Sequence, residues 1–153
     1  MHPHLLLQYC QKLVVLSADK QSILLAKRKG EADYNGVYSF IGGKMEEIDK
    51  SLLAGMKREK DEEIGPGTRL KLLPNESYNV LITKKDGNRV VLPHIAAIFC
   101  SGEIVLSDEY SEYKWVPVTR LSHFEPKIEN ITEITLWSVE KLSKIDEGQL
   151  VEI

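Results

Sequence analysis

The sequence predicts an α/β fold in which a mixed β-sheet is covered by helices. Three observations lead to this prediction. Short apolar runs typical of strands occupy much of the chain, one helical pattern lies in the middle, and a second lies near the end. The length of 153 residues corresponds to about one domain, so we expect a single domain over residues 1–153.

Six apolar or alternating runs predict the strands of this sheet. The first two flank a polar turn at 18–21 and form a hairpin, and a second hairpin turns at Asp86-Gly87. Gly42 and Gly43 end the third strand, so we expect them to make a turn that permits close backbone approach. The predicted strands cover residues 13–16, 23–26, 37–41, 77–83, 89–100 and 113–118.

Two segments have the spacing of amphipathic helices. The central one covers about residues 50–64, with Asp49 as its expected N-cap and Gly-Pro-Gly at 65–67 as its stop. The terminal helix covers residues 131–143. On a helical wheel, four apolar side chains define the face of the central helix that we expect to pack on the sheet, namely Leu52, Leu53, Met56 and Ile64.

The composition excludes several classes of protein. Lysine and arginine total 20 against 23 aspartates and glutamates, so no basic excess indicates a nucleic-acid partner. No apolar run approaches the roughly 18 residues of a membrane span, so no membrane partner is expected. The first residues lack a basic leader and a cleavage site, which favours a cytoplasmic protein. Cys10 and Cys100 lie in or beside apolar runs, where we expect buried, reduced thiols.

Three glutamates of the central helix form a candidate metal site. Glu59, Glu62 and Glu63 share an arc of about 100° on the wheel, beside the apolar face. Like charges at this spacing repel, and a divalent cation would remove the repulsion. Carboxylate oxygens suit Mg²⁺ or Mn²⁺, and carbonyls of Gly42 or Gly43 would complete the ligand shell. A solvated acidic helix face explains the glutamates alone, but it does not explain the glycine pair upstream.

The segment of residues 42–65 resembles the signature of the Nudix hydrolases. In that signature a glycine is followed by a glutamate and then by R-E-U-x-E-E-x-G-U, where U is apolar. Residues 58–65, REKDEEIG, keep every fixed residue of this second half. Residues 24–28, 38–46 and 107–117 are similar to the strands and the acidic segment that flank the signature in the family.

The resemblance implies a Nudix-like α/β/α sandwich with a mixed β-sheet. It also implies a metal-dependent hydrolase, in which water attacks phosphorus in a pyrophosphate bond of a nucleoside diphosphate linked to another moiety. A nucleoside triphosphate or a nucleotide sugar is the expected substrate, and Mg²⁺ or Mn²⁺ the expected cofactor. A homodimer agrees with the family, although nothing in the chain requires one. The implied metal ligands are the Gly42 carbonyl, Glu59, Glu62 and Glu63.

The resemblance also implies roles for other residues. Arg58 would orient the glutamates. The general base comes either from the signature or from a later acidic segment, where Glu109 and Glu112 are candidates. Arg28 and Lys44 would contact phosphates, and Phe40 would stack on the nucleobase. The predicted catalytic set is Arg58, Glu59, Glu62, Glu63 and Glu112.

Departures from the signature leave other hypotheses open. Asp49 stands where the family has glutamate, and one extra residue separates it from Arg58. Lys60 replaces an apolar residue, so we expect its stem to pack on the sheet while its ammonium reaches solvent. The alternative to an enzyme is a catalytically impaired nucleotide-binding or sensor module with the same fold. An unrelated interaction domain with an acidic helix is a third hypothesis.

Overall fold

The computed structural model describes residues 3–30 and 34–153, which contain a nine-stranded mixed sheet and two α-helices. Helix α1 covers Leu52–Ile64 and α2 covers Ile131–Lys144, and two short 3₁₀ helices cover Val118–His123 and Glu147–Gln149. The strands are β1 Gln8–Leu16, β2 Ser22–Arg28, β3 Tyr38–Ser39, β4 Ile41–Lys44, β5 Arg69–Leu72, β6 Tyr78–Thr83, β7 Arg89–Ser101, β8 Tyr110–Pro117 and β9 Val151–Glu152.

The centre of the sheet is the parallel pair β1 and β7, and the other neighbouring strands are antiparallel. The main strand order is β3-β2-β1-β7-β5-β9, while β4 pairs with β1, β6 with β7 and β8 with β2. A central strand is covered on both faces, which explains why residues 13–16 are continuously apolar and fully buried. The predicted mixed sheet is therefore confirmed.

Side chains alternate between two apolar clusters on opposite faces of the sheet. Val14 and Leu16 join the cluster that contains residues of α2. Leu13 and Val15 join the cluster that contains Ile64 at the end of α1. The sheet therefore lies between the two helices, which confirms the predicted α/β/α sandwich.

Gly42 and Gly43 do not make the predicted turn, because they continue as strand β4. Gly42 pairs with Lys12 and Gly43 with Gln11 of β1. A Cβ atom on Gly42 would collide with the backbone oxygen of Gln11, and Gly42 has a φ of 130°. The glycines therefore permit close approach of two strands, and not a reversal of the chain.

Both predicted hairpins are present, and the sequence missed β5 and β9. In the first hairpin no glycine is needed, because Lys20 adopts a left-handed conformation with φ of 61°. In the second, Gly87 has φ of 88° and its amide donates to the Lys84 carbonyl. The sequence also predicts a polar loop over residues 30–36, and residues 31–33 of this segment lie outside the described residues.

Helix α1 begins later than predicted, and its first turn is more exposed than predicted. Its N-cap is Ser51, whose Oγ accepts from the amide of Ala54 at 3.1 Å, so the prediction of Asp49 was wrong. Leu52 and Leu53 are 51% and 41% exposed, which also contradicts the prediction. Both leucines lie in the first turn of the helix, whereas Ile64 of the same predicted face is buried and Met56 packs against the same cluster, as predicted. The buried residues of α1 are Gly55, Glu59, Lys60, Glu63 and Ile64.

Lys60 is one of the most buried side chains of this helix. It is 1% exposed, and its Nζ donates to the carbonyl of Thr68 at 2.5 Å and lies 2.6 Å from a carboxylate oxygen of Asp61. The predicted solvent-exposed ammonium is therefore wrong. A polar partner beneath the helix end removes the need to reach water.

Strand β8 contains a β-bulge that changes which face its side chains occupy. Glu112 pairs with Lys27, but Tyr110 pairs with the next residue, Arg28, so Ser111 has no partner of its own in β2. The extra residue places Tyr110 in the cluster beside α1. Glu112 points to the opposite face, where it contacts Tyr38.

No helix in the described residues combines the length and the apolar character needed to cross a membrane. Cys10 and Cys100 are both free thiols, as predicted. Cys10 is half-buried and Cys100 is exposed, so the prediction that both are buried was wrong. Cys100 lies near the end of β7, beyond the part of that strand that the helices cover.

Candidate active site

The carboxylates of α1 pack directly on the glycine backbone of β4. A Cβ atom on Gly43 would lie 2.6 Å from Oε2 of Glu59, so this glycine leaves the space that the carboxylate fills. The amide of Gly42 donates to Oε2 of Glu63 at 2.5 Å. On the helix side, a Cβ on Gly55 would collide with Sδ of Met45. Glycines on both elements therefore bring the helix and the strand into close contact.

Glu63 is the most buried carboxylate of this site, at 3% exposure. Its Oε2 also accepts from the Tyr110 hydroxyl at 3.2 Å. Burial raises the pKa of Glu63 to about 8, against the opposing charge of Lys12 and the bond from Gly42. Burial and the neighbouring Glu63 raise the pKa of Tyr110 well above its usual value. The phenol therefore stays protonated and donates.

Glu59 lies beside Glu63 and is 8% exposed. Burial is the main reason that its pKa is raised, and the bond from Arg58 opposes this shift. The negative charges of Glu62 and Glu109 raise the pKa of Glu59 further. The site therefore gathers more negative charge than its own cations neutralise.

Arg58 connects this site to the loop before the helix. Its Nε and Nη2 each donate to one carboxylate oxygen of Asp49 at 2.8 Å, and Nη2 also donates to the carbonyl of Lys44 at 2.9 Å. Its Nη1 lies 3.1 Å from oxygens of both Glu59 and Glu62. The bond from Arg58 is the main reason that the pKa of Asp49 falls to about 2. Two-point pairing of this kind fixes the guanidinium plane.

Two of the predicted site residues are not buried with Glu59 and Glu63. The side chain of Glu62 is 56% exposed and turns toward Arg58. Glu112 lies on the other face of the sheet, where the bond from the Tyr38 hydroxyl lowers the pKa of its carboxyl. Glu112 therefore lies apart from Glu59 and Glu63, because the bulge at Ser111 reverses its direction, and its catalytic role stays a prediction.

Glu109 is the acidic residue of this segment that does approach the cluster. Burial is the main cause of the raised pKa of Glu59 and of Glu63, and the negative charge of Glu109 adds to it. Lys29 donates its backbone amide to the Glu109 carbonyl at 3.0 Å, which anchors the segment to the end of β2. The structure therefore favours Glu109 over Glu112 as the later acidic candidate.

The oxygen donors of this site are of the type that a hard divalent cation prefers. Their present positions do not yet form a complete ligand set. Glu59 and Glu63 supply carboxylate oxygens, and the Gly42 carbonyl lies on the strand beneath them. In the described residues no three acidic, histidine or cysteine side chains already form a metal-binding group. Nζ of Lys12 donates to the Gly42 oxygen at 3.2 Å. Side-chain movements at Glu62 and Lys12 would therefore complete the ligand set.

A cavity of about 640 Å³ lies on the face of the sheet that carries α2. The predicted phosphate contacts Arg28 and Lys44 both line it. Phe40 does not line it, since this ring is 4% exposed and packs edge-on against His94 with centroids 5.7 Å apart. Apolar side chains and His94 form much of the remaining wall, and the basic residues that line the cavity are Lys12, Arg28, Lys44, Lys84 and Lys85.

Sequence reasoning missed two residues of this site. Lys12 has a visible signal, because it is a charged residue directly before the apolar run of β1. Tyr110 has none, since its contact with Glu63 depends on the bulge in β8.

The chain is similar to known proteins in sequence and fold. The family described as NUDIX domain matches residues 12–137. No curated protein matches the chain. A MutT protein from Methanosarcina mazei Go1 has 19% identity and a TM-score of 0.68, covering 90% of this chain and 96% of that one.

Two further solved structures share the fold. A C. elegans Ap4A hydrolase in a binary complex has 13% identity and a TM-score of 0.72, covering 91% of this chain and 100% of that one. The NUDIX domain of Shewanella oneidensis NrtR, complexed with ADP ribose, has 18% identity and a TM-score of 0.71, covering 91% and 90%. At these identities the likeness shows the fold alone.

Proposed function

Because the chain belongs to the Nudix hydrolase family, we propose that it hydrolyses a pyrophosphate bond in a nucleoside triphosphate or a nucleotide sugar. Members of this family generally act on nucleoside diphosphate derivatives and use divalent metal ions. For this chain we propose Mg²⁺ or Mn²⁺. The observation that carries the proposal is the packing of Glu59 and Glu63 on the backbone of Gly42 and Gly43.

Each residue of the site has a task in this reaction. Glu59, Glu63 and the Gly42 carbonyl would hold the metal, with Glu62 as a further ligand or a contact to water. When bound, a divalent ion polarises phosphoryl oxygens and lowers the pKa of a coordinated water. Arg58 orients the two glutamates that it contacts.

The general base is assigned to the segment after β7. We propose Glu109, because its charge acts on Glu59 and Glu63, whereas Glu112 is held by Tyr38 on the opposite face. A carboxylate beside the cluster is placed to accept a proton from the attacking water. Glu109 would therefore take the role that the sequence assigned to Glu112.

The basic cavity supports a nucleotide as the substrate. Arg28 and Lys44 line it together with three further lysines, while Glu129 is the acidic residue among its described lining. Such an excess of positive charge attracts phosphates. One structural neighbour is complexed with ADP ribose and another is an Ap4A hydrolase, which supports a nucleotide ligand here. A homodimer and a cytoplasmic location stay predictions.

A nucleotide-binding or sensor module is the second candidate function. It is favoured by the two features that leave the metal site incomplete, namely the Lys12 ammonium on the Gly42 carbonyl and the outward side chain of Glu62. In such a module the cavity would bind the nucleotide and the bond would stay intact.

Release of phosphate and pyrophosphate separates these functions. The wild type and Glu63→Gln would be assayed with Mg²⁺ or Mn²⁺ against nucleoside triphosphates, nucleotide sugars and dinucleotides. Loss of a group that stabilises charge in the transition state lowers turnover by about 10²–10³-fold, and we expect this for Glu63→Gln. The matched control is Glu140→Gln, which removes a surface carboxylate paired with Lys144 on α2. Metal-independent release, or full activity of Glu63→Gln, would contradict the proposed enzyme, and nucleotide binding without release would establish the module.

A further inference from the structure

We propose that Lys12 is an internal cation that competes with a divalent ion for the carbonyl of Gly42 and, when displaced, contributes its ammonium to the substrate cavity. The inference rests on the proposed function, since it assumes that Gly42 is a metal ligand. It assigns to Lys12 a link between loading of the metal site and binding of an anionic substrate.

The backbone of Lys12 is fixed, so movement is confined to its side chain. Lys12 pairs with Gly42 in the antiparallel direction and with His94 in the parallel direction. Strands therefore hold it on both sides, in the centre of the sheet. A lysine side chain has four rotatable bonds, and it can sweep its ammonium through several ångströms about a fixed Cα.

The ammonium now occupies a ligand position of the predicted metal site. Nζ lies 3.2 Å from the Gly42 oxygen, and this acceptor is a neutral carbonyl. Burial raises the pKa of Glu63 and the charge of Lys12 opposes it, while for His94 burial lowers the pKa and Lys12 adds to the shift. Lys12 therefore acts on Glu63 of α1 and on His94 of the cavity wall at the same time.

A divalent ion and an ammonium on one carbonyl oxygen repel each other, because both are cations, so binding of one disfavours the other. Lys12 already lines the cavity together with Arg28 and Lys44. The cavity therefore offers the displaced ammonium a second position, where a phosphate group would be its partner. Displacement would strengthen substrate binding, and by linkage a bound anion would strengthen metal binding.

Metal binding without substrate tests the competition directly. Free Mn²⁺ would be measured by electron paramagnetic resonance during titration of the wild type, Lys12→Met and Lys12→Arg. Lys12→Met loses a competing bond, and we expect it to bind Mn²⁺ about five- to tenfold more tightly, which corresponds to about 1–1.4 kcal/mol. Lys12→Arg keeps the charge, and we expect its affinity to stay near that of the wild type.

The matched control is Lys27→Met, which also removes a half-buried lysine of the sheet. Lys27 lies over the ring of Tyr38 at 6.0 Å and does not line the cavity. We expect unchanged Mn²⁺ affinity for this variant. Pyrophosphate binding to the Mn²⁺-loaded protein supplies the second readout, and it should weaken several-fold in Lys12→Met but not in Lys27→Met.

The outcomes separate this inference from the proposed function. If the wild type binds no Mn²⁺, or if Glu63→Gln binds it equally well, the metal site of the proposed function fails. If the wild type binds Mn²⁺ and Lys12→Met binds it equally or more weakly, only the role of Lys12 is overturned.

A measurement on the unaltered chain keeps the inference testable if Lys12→Met does not fold. The ammonium resonance of Lys12, identified by its loss in Lys12→Arg, should shift when Mg²⁺ is added to ¹⁵N-lysine-labelled protein. An unchanged resonance at saturating Mg²⁺ would overturn the proposal.

Discussion

The two helices cover opposite faces of one sheet, but α1 buries charged side chains and α2 buries mainly apolar ones. Helix α2 buries Ile131, Ile134 and Leu142, and its polar buried residues are small. Helix α1 buries Glu59, Lys60 and Glu63 and leaves Leu52 and Leu53 exposed. Burial of apolar surface stabilises a fold, whereas burial of a charge costs free energy unless it is bonded. The contrast shows that α2 holds the fold together, while α1 is positioned for chemistry.

Specific partners make the charged face of α1 tolerable. Glu63 receives bonds from Gly42 and Tyr110, and Lys60 donates to the Thr68 carbonyl. A buried charged group destabilises the fold when one of its partners is removed. We therefore expect substitutions on α1 to change activity and pH dependence, and substitutions on α2 to change stability.

The largest expected effect is a pH dependence of the free energy of unfolding, which arises from Glu63 in α1. The folded Glu63 has a pKa of about 8 against an ordinary value of 4.5, so the fold binds its proton more tightly than the unfolded chain does. The contribution of Glu63 to stability is therefore full below pH 4.5 and decreases as pH rises toward 8, by about 5 kcal/mol at most. Urea unfolding in EDTA across this range measures it.

Glu63→Gln should remove most of this decrease, and Glu140→Gln should keep it. A wild-type stability that is flat from pH 5 to 8 would show that the buried carboxyl of α1 carries no cost.

The next effect tests α2. Leu142 is 1% exposed in the cluster beneath this helix, and Leu142→Ala should lower the free energy of unfolding by about 2–5 kcal/mol. The kcat/KM of the folded fraction should not change. Urea unfolding and activity at low temperature measure the two quantities. A large loss of activity in the folded protein would contradict the structural role of α2.

A smaller change is expected where α1 meets β4, and it concerns the activation free energy of the reaction. The Cβ of Gly43→Ala would displace the Glu59 carboxylate, and misplacement by about 1 Å costs about 10²-fold in kcat/KM. The matched control is Gly67→Ala, because nothing lies within 4 Å of a Cβ at that glycine. Steady-state kinetics of both variants would measure the difference. Equal activity of the two would break the link between the glycine strand and the carboxylates.

The smallest effect concerns Lys60. Methionine fills a similar volume, and the loss of the bond to Thr68 is offset by removal of a buried charge. We expect Lys60→Met to lie within about 1 kcal/mol of the wild type. Thermal unfolding measures this. A loss well above that figure would mean that the ammonium is essential to the end of α1.

The sequence predicted the features that depend on local pattern. The continuous apolar run at 13–16 indicated the central strand, and Asp86-Gly87 indicated a hairpin. The signature at 58–65 identified the helix and brought Arg58, Glu59 and Glu63 into one site. These features need only neighbours in sequence or a motif of fixed spacing.

The features that the sequence did not predict depend on partners distant along the chain. The wheel treated Leu52 as buried, because a wheel gives the direction of a side chain but not how much of the helix length the sheet covers. Asp49 looked like a helix cap, but the two-point bond from Arg58 occupies its carboxylate. Lys12 looked like an ordinary strand lysine until β4 placed the Gly42 carbonyl beside it.

The single unpaired residue of β8 has a consequence for comparing relatives of this chain. Ser111 shifts the phase of the strand, so Tyr110 and Glu112, which are two positions apart, lie on opposite faces. An alignment anchored on Trp115 and one anchored on Tyr110 therefore differ by one column in which residue they equate with Glu109. A single gap in such an alignment therefore changes which acidic residue is assigned as the base. The position of the bulge decides which acidic residues are equivalent.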